Sequence, residues 1–353
     1  MIPVSDLVSD PQGLSPGWQQ QLRTLVRSAQ ELLRLLDLDQ NPELMKQALA
    51  AEKLFPVRVT HSYLERIQPG CVDDPLLKQV LPLGAECENA AGYVTDPLQE
   101  FTSVTPGNLD KQAGGFATEL GLVQKYPGRV LVIATGACAI HCRYCFRRHF
   151  PYQDYSSQPA KLDRLLAAIN EDTSIEEVIF SGGDPLMWST DKLRQCTERF
   201  GKHVRRVRIH SRLPIVLPDR LDADFCHWWQ QLPQQKVMVI HGNHPAEFSD
   251  QVLNSLRKLN ENGCTTLLNQ AVLLKGVNDS VAVLKSLFER GFQAGVLPYY
   301  LHLLDPVQGA AHFDVPRAEG KALIQQLSDC LPGYLVPNLV QEIPGEMSKT
   351  RLL

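Results

Sequence analysis

The 353-residue sequence has no apolar run near the roughly 18 residues that a membrane-spanning helix needs. It has no large charge of either sign. A formal net charge of -4 argues against a general nucleic-acid binder, and the short basic run Arg205-Arg206-Val207-Arg208 reads as the solvated start of a strand. Residues 1–30 carry acids and glutamines and no uninterrupted apolar stretch, which argues against a signal peptide. The expected location is therefore the cytoplasm, where thiols stay reduced. The cysteines number nine, an odd count in a long chain, which points to thiols and metal ligands and away from a disulfide framework.

What is present is ordinary for a globular protein: 44% hydrophobic and 21% charged residues, enough for a sizeable core. From Trp18 to Leu38 the apolar residues Trp18, Leu22, Leu25, Val26, Ala29, Leu32, Leu33 and Leu36 recur at helical spacing. Short helices and proline-rich turns follow, and the polar stretch from Pro106 to Leu122 reads as a linker or long loop. Beyond Pro127-Gly128 the pattern changes. Six β-branched runs, at 130–135, 177–181, 207–211, 237–241, 265–273 and 296–301, alternate with amphipathic stretches near 161–170, 190–200, 221–231, 247–261, 280–291 and 315–330. Such alternation indicates a parallel α/β sheet. Six units are too few for a closed eight-stranded barrel, so the predicted fold is an open partial (β/α)6 barrel, with chemistry at the C-terminal strand ends. The predicted organisation is an N-terminal helical region and linker (1–122), the barrel (123–330) and a short C-terminal tail (331–353).

Cys138-Ala-Ile-His-Cys142-Arg-Tyr-Cys145 begins just past the first predicted strand. Three thiolates on one loop suit an iron–sulfur cluster or zinc. They can hold three corners of a cubane and leave the fourth iron open. A structural zinc would want a fourth ligand, for which His141 is the nearby candidate, awkwardly placed inside the loop. The scattered Cys71, Cys87, Cys196, Cys226, Cys264 and Cys330 read mostly as small buried hydrophobes. One unit later, Ser181-Gly182-Gly183-Asp184-Pro185 follows the second strand; its glycines would let backbone approach a ligand closely, and Asp184 suits an ammonium.

The cysteine spacing, placed after the first strand of this series, resembles the radical S-adenosylmethionine superfamily. Over roughly Asp74 to Lys349 the chain resembles the lysine 2,3-aminomutase family. The matching stretches are Cys142 to Arg148, Ser181 to Asp184, Leu213 to Pro218, His241 to Pro245, Asn269 to Leu274, Pro298 to Tyr300 and Pro344 to Lys349. This resemblance implies a 4Fe-4S cluster on Cys138, Cys142 and Cys145, and S-adenosylmethionine held by Ser181, Gly182, Gly183 and Asp184, with His241 and Gln270 near its adenosyl part. It implies pyridoxal 5'-phosphate on Lys349 as a Schiff base, with Lys125, Tyr126 and Arg129 as its cationic segment. Arg147 would take the substrate carboxylate, and Asp305 and Glu342 the substrate side-chain ammonium. Glu342 stands where the family has an aspartate, and Gly345-Glu346-Met347-Ser348 replaces the usual run of glycines.

The implied activity is conversion of L-α-lysine to (R)-β-lysine through a 5'-deoxyadenosyl radical and pyridoxal phosphate. The stretches Cys142 to Tyr152 and Gln308 to Phe313 resemble the short branch of the family, which supplies β-lysine to a separate ligase that modifies elongation factor P. Longer catabolic members continue past the lysine with zinc-binding cysteines. Ser280 occupies another of their zinc-ligand positions, so no zinc is expected. The expected partners are the small-molecule substrate and an external electron donor, with no nucleic acid and no membrane. The expected assembly is simple, at most a homo-oligomer. The rival readings are a related aminomutase acting on arginine or glutamate and a non-enzymatic iron–sulfur or zinc protein; Asp305 speaks against glutamate.

Overall fold

The computed structural model describes residues 17–100, 121–150, 159–261, 265–346 and 348–353. Most of the expected linker at 106–122, the end of the 142–152 stretch, Cys264 and Met347 lie outside the described residues.

One sheet runs in chain order from β1 to β9. The edge strand β1 (Leu122–Tyr126) is antiparallel to β2 (Arg129–Thr135). From β2 onward the neighbours are parallel: β3 (Glu177–Gly182), β4 (Arg206–Ser211), β5 (Gln235–Ile240), β6 (Thr265–Val272), β7 (Leu297–His302) and β8 (Asn338–Gln341). β9 (Thr350–Arg351) is antiparallel to β8. Helices at Pro159–Glu171, Thr190–Thr197, Ala223–Gln231, Asp250–Leu259, Val281–Phe292 and Arg317–Cys330 fill the crossovers between β2 and β8. The predicted series of six strand–helix units is present, and β1 and β9 stand at opposite edges of an open sheet.

Local chemistry starts these helices where they start. Ser189, Asp222, Ser249 and Ser280 each accept the N–H three residues on, from Lys192, Phe225, Val252 and Val283. Each cap is worth about 1 kcal/mol. Ser280 therefore has a helix-capping task of its own. The helices then lay apolar faces on the sheet, as Val252, Leu253, Leu256 and Leu259 do.

Two expectations need correction. The helical spacing over 18–38 is split into Trp18–Arg23 and Ala29–Leu35. Between them Val26 exchanges two backbone hydrogen bonds with Val59 (2.9 and 3.0 Å), and Ser28 caps the second helix through the Glu31 N–H. A β-branched residue with a strand-like partner and a new cap overrides the periodicity. The C-terminal segment is also no tail. Pro344-Gly345 turns the chain, with Gly345 at φ 84° and the Glu346 N–H donating to the Ile343 carbonyl. That is a type II turn, whose third residue needs the positive φ. β9 then folds back on β8, pairing Arg351 with Val340.

Strand alternation divides the side chains. On β4, Val207, Ile209 and Ser211 are buried against the helices, whereas Arg206, Arg208 and His210 occupy the other, inner face. On β6 the inner positions are Leu268, Gln270 and Val272. Leu339 of β8 packs toward Gly320 of the last helix, so Asn338, Val340 and Glu342 fall on the inner side. At the N-terminal strand ends Arg208 donates twice to Glu177 (3.0 and 2.6 Å), joining two inner positions across β4 and β3.

Candidate active site

The cysteine loop leaves β2 at Thr135 and is clamped by the turn after β3. The Gly183 N–H donates to the Thr135 carbonyl (2.6 Å) and the Asp184 N–H to the Ala137 carbonyl (2.9 Å). A Cβ on Gly182 would lie 2.6 Å from the Thr135 oxygen, and one on Gly183 2.6 Å from the Ala137 oxygen. In this structure, then, the close backbone approach expected of these glycines is made to the cysteine loop. Asp184 differs from expectation in the same way. One carboxylate oxygen accepts from Leu186 N (3.0 Å) and Ser211 Oγ (2.7 Å), the other from Arg212 N (2.8 Å) and Leu213 N (3.1 Å). Burial pushes this acid up to about 6 while those bonds pull it back. With four donors in place it ties the β3 turn to the β4 turn and offers no spare oxygen to an ammonium.

Cys138, Cys142 and Cys145 are half-buried on the loop. Burial, then Asp184 and the neighbouring cysteines, push the Cys138 thiol well above its usual range; burial and then Cys142 push Cys145 up to about 12. A cationic group bound among such thiols favours their thiolate form. Among the described residues no three His, Cys, Asp or Glu side chains converge on a single-ion site. His141, the candidate fourth zinc ligand, has Nδ1 2.8 Å from the Pro56 carbonyl and its ring stacked on Phe55. With His141 Nδ1 engaged by Pro56, three thiols on one loop remain, a donor set that suits three corners of a cluster.

Residues far away in the chain hold the loop's shape. Arg143 and Glu86 form a two-pronged ion pair (2.8 and 2.6 Å) with both side chains 0% exposed, and Arg148 donates to the same carboxylate (2.7 Å). Arg143 also reaches the Phe55 carbonyl, and Arg58 the Cys138 carbonyl, each at 2.8 Å. Neither Glu86 nor Arg58 stood out in the sequence. A buried acid is identifiable only once its arginines are beside it.

The lumen is lined differently. His210 ends the inner row of β4, His241 follows β5, Gln270 is on β6, His302 ends β7, and Asp305 lies three residues beyond. Burial holds all three imidazoles neutral, His241 down to about 3, and in each case the Lys349 ammonium adds to the effect. Burial raises Asp305 to about 7 against the pull of Lys349. His210 Nε2, His302 Nε2 and Asp305 Oδ1 are buried without a hydrogen-bond partner. Lys349 precedes β9, and its ammonium is ion-paired with Glu342, just past β8. The hairpin therefore brings two predicted residues into contact and a third, Asp305, into electrostatic range.

Arg147 lies two residues past the last loop cysteine and donates to both oxygens of Glu100 (Nε 2.6 Å, Nη2 2.7 Å). Ser181 occupies an inner, half-buried position on β3. Arg129 opens β2 at an inner position. Lys125 and Tyr126 have their backbone in β1; their side chains lie outside the described residues. His210 and His302 were missed in the sequence. Strand alternation around the expected strands would have put both on the inner face.

The family model described as the radical SAM superfamily matches residues 132–223, which contain the cysteine loop and the turn after β3. An L-lysine 2,3-aminomutase of Escherichia coli is 42% identical over 337 residues, covering 95% of this chain and 94% of the relative. One from Haemophilus influenzae is 41% identical, covering 94% of each chain. One from Clostridium subterminale is 32% identical, covering 95% of this chain and 77% of its own length. A solved radical SAM methyltransferase from Sphaerobacter thermophilus is 15% identical, covers 64% of this chain and 71% of its own, and has a TM-score of 0.44, a likeness too distant to bear on the site. The cofactors of such enzymes are a 4Fe-4S cluster, S-adenosylmethionine and pyridoxal phosphate, and the thiol trio, the unpartnered lumen atoms and Lys349 suit them. The chain belongs to the L-lysine 2,3-aminomutase family of radical S-adenosylmethionine enzymes, which are isomerases.

Proposed function

We propose that this chain converts L-α-lysine to (R)-β-lysine. The observation that carries the reading is that the chain already pairs both of lysine's charge types, a carboxylate with Arg147 and an ammonium with Glu342, within electrostatic range of Asp305. The Lys349 ammonium rests on Glu342, near Asp305, and the Glu100 carboxylate rests on the fork of Arg147. A substrate with a carboxylate at one end and an ammonium at the other can exchange with both.

The residue roles follow. Cys138, Cys142 and Cys145 bind three cluster irons. Ser181, Gly182 and Gly183 line the S-adenosylmethionine site, which Asp184 shapes from behind, and His241 and Gln270 stand on the adenosyl side. Lys349 anchors pyridoxal phosphate, with Lys125, Tyr126 and Arg129 on its cationic side. When bound, these groups supply a 5'-deoxyadenosyl radical and a conjugated ring through which an amino group can migrate. The protein orients the substrate by its two charged ends, with Arg147 at the carboxylate and Asp305 and Glu342 at the ammonium. Its neutral imidazoles add no cationic charge beside that ammonium. Glutamate would set a carboxylate against Asp305 and Glu342, so a cationic side chain, lysine's or arginine's, is favoured over it.

The resemblance of 142–152 and 308–313 to the short branch supports a role in supplying β-lysine to a ligase that modifies elongation factor P. A cytoplasmic setting, an external electron donor and a simple, at most homo-oligomeric assembly belong to the same reading. The test is anaerobic incubation with reductant, S-adenosylmethionine and lysine, arginine or glutamate, followed by chiral product analysis. (R)-β-lysine from lysine alone is expected; turnover of arginine or glutamate in preference rejects the substrate assignment. Lys349→Ala should keep its iron, lose the borohydride-trapped cofactor and make no β-lysine.

A further inference from the structure

Beneath the cysteine loop lies a buried polar system to which the mechanism above gives no task. Arg212 follows β4 directly and is 6% exposed. Its Nη1 donates to Cys142 Sγ (2.9 Å) and also contacts the Tyr144 hydroxyl. Its Nη2 donates to Gln79 Oε1 (2.9 Å) and to Glu247 Oε1 (2.7 Å). The partners are themselves fixed. Asn243 Nδ2 donates to the Tyr144 hydroxyl (2.7 Å) and to Gln79 Oε1 (3.0 Å), and the Tyr63 hydroxyl donates to Glu247 (3.1 Å). The second oxygen of Glu247 accepts from the backbone N–H groups of Asn243 and His244. At the near end the Arg212 backbone N–H is tied to Asp184 (2.8 Å). The guanidinium is thus held at both ends of its side chain and cannot swing away from the sulfur.

We infer that Arg212 is a positioning residue that raises the reduction potential of the cluster, acting through Cys142, and that Glu247 limits that effect. Reduction adds one electron, from the external donor, to a cluster already carrying three thiolates. A buried cation and an N–H bond to a ligand sulfur stabilise the more negative, reduced form. In a low-dielectric surrounding both effects are stronger than in water. The carboxylate of Glu247, on the far side of the guanidinium, offsets part of the charge.

This inference rests on Cys142 being a cluster ligand. The test is an EPR-monitored redox titration of the reconstituted, full-length enzyme. Glu247→Gln leaves the guanidinium unopposed and should raise the midpoint. The double variant R212Q/E247Q removes both charges and the guanidinium bond and should fall below the wild type. The expected shift is about tenfold in the reduction equilibrium, or ~59 mV for one electron. A double variant with a full iron complement and the wild-type midpoint overturns the inference. Should that variant not fold, E247Q decides alone: a raised midpoint supports the inference and an unchanged one overturns it. Wild-type protein that assembles no cluster would instead reject the ligand assignment itself.

Discussion

Three buried carboxylates lie under the cysteine loop, and each is saturated. Glu86 takes Arg143, Arg148 and the Leu83 N–H; Asp184 takes four donors; Glu247 takes Arg212, Tyr63 and two backbone N–H groups. In the lumen a few residues away, Asp305 Oδ1, His210 Nε2 and His302 Nε2 have no partner. Unpaired buried groups cost about 1–3 kcal/mol each, and these three face the chamber where the substrate and cofactors are proposed to bind. The three acids of the cysteine loop's cradle are thus satisfied by the protein alone, although Arg148 Nε and Arg212 Nε beside them are unpartnered, whereas the chamber leaves an acid oxygen and two imidazole nitrogens open.

The contrast can be broken at its strongest point by Glu86→Gln. Removing the carboxylate leaves Arg143 and Arg148 buried without a counter-charge. The expected loss is about 3–5 kcal/mol of stability, read as a lower urea midpoint, together with poorer iron retention. A variant as stable as the wild type would mean that the cradle does not depend on this acid.

Asp305→Asn should do the reverse to stability and damage function. Truncating one partner of a buried charge pair typically costs about 2–5 kcal/mol of binding, so KM for lysine should rise about thirtyfold or more. The ligand-free fold should become slightly more stable near neutral pH. Burial raises Asp305 from 3.8 to about 7, against the opposing pull of Lys349. Across that window the native state keeps a proton that the unfolded chain has released, so stability falls as pH rises. Asparagine flattens that slope in urea titrations across the same range.

The smallest effect belongs to the imidazoles and has the opposite sign. His210 and His302 are held well below 6.5, first by burial and then by nearby cations. Below pH 6.5 the unfolded chain takes up protons that the native state refuses, so stability falls on acidification. His302→Gln should make the urea midpoint less acid-sensitive; an unchanged acid slope would remove His302 from this account.

Much of the fold was legible because its signals are local. β-branched runs alternating with capped amphipathic helices produce the parallel series, and the cysteine loop follows the first strand of that parallel series, as expected. The miss at 24–28 arose because Val26 pairs with Val59, a partner that helical periodicity does not register. The C-terminal hairpin was missed because β9 is only two residues long and acquires its meaning by pairing with β8.

From residue order alone one could obtain the strand–helix alternation, the three thiols on one loop and a lysine near the chain's end, since each depends on neighbours in the chain. Folding was needed to join Arg212 to Cys142, Glu86 to Arg143 and Lys349 to Glu342, and to turn Asp184 from a candidate ligand group into a loop tie. Charges and hydrogen bonds act through space over a few ångströms, and only the folded sheet brings residues as much as 70 positions apart within that reach.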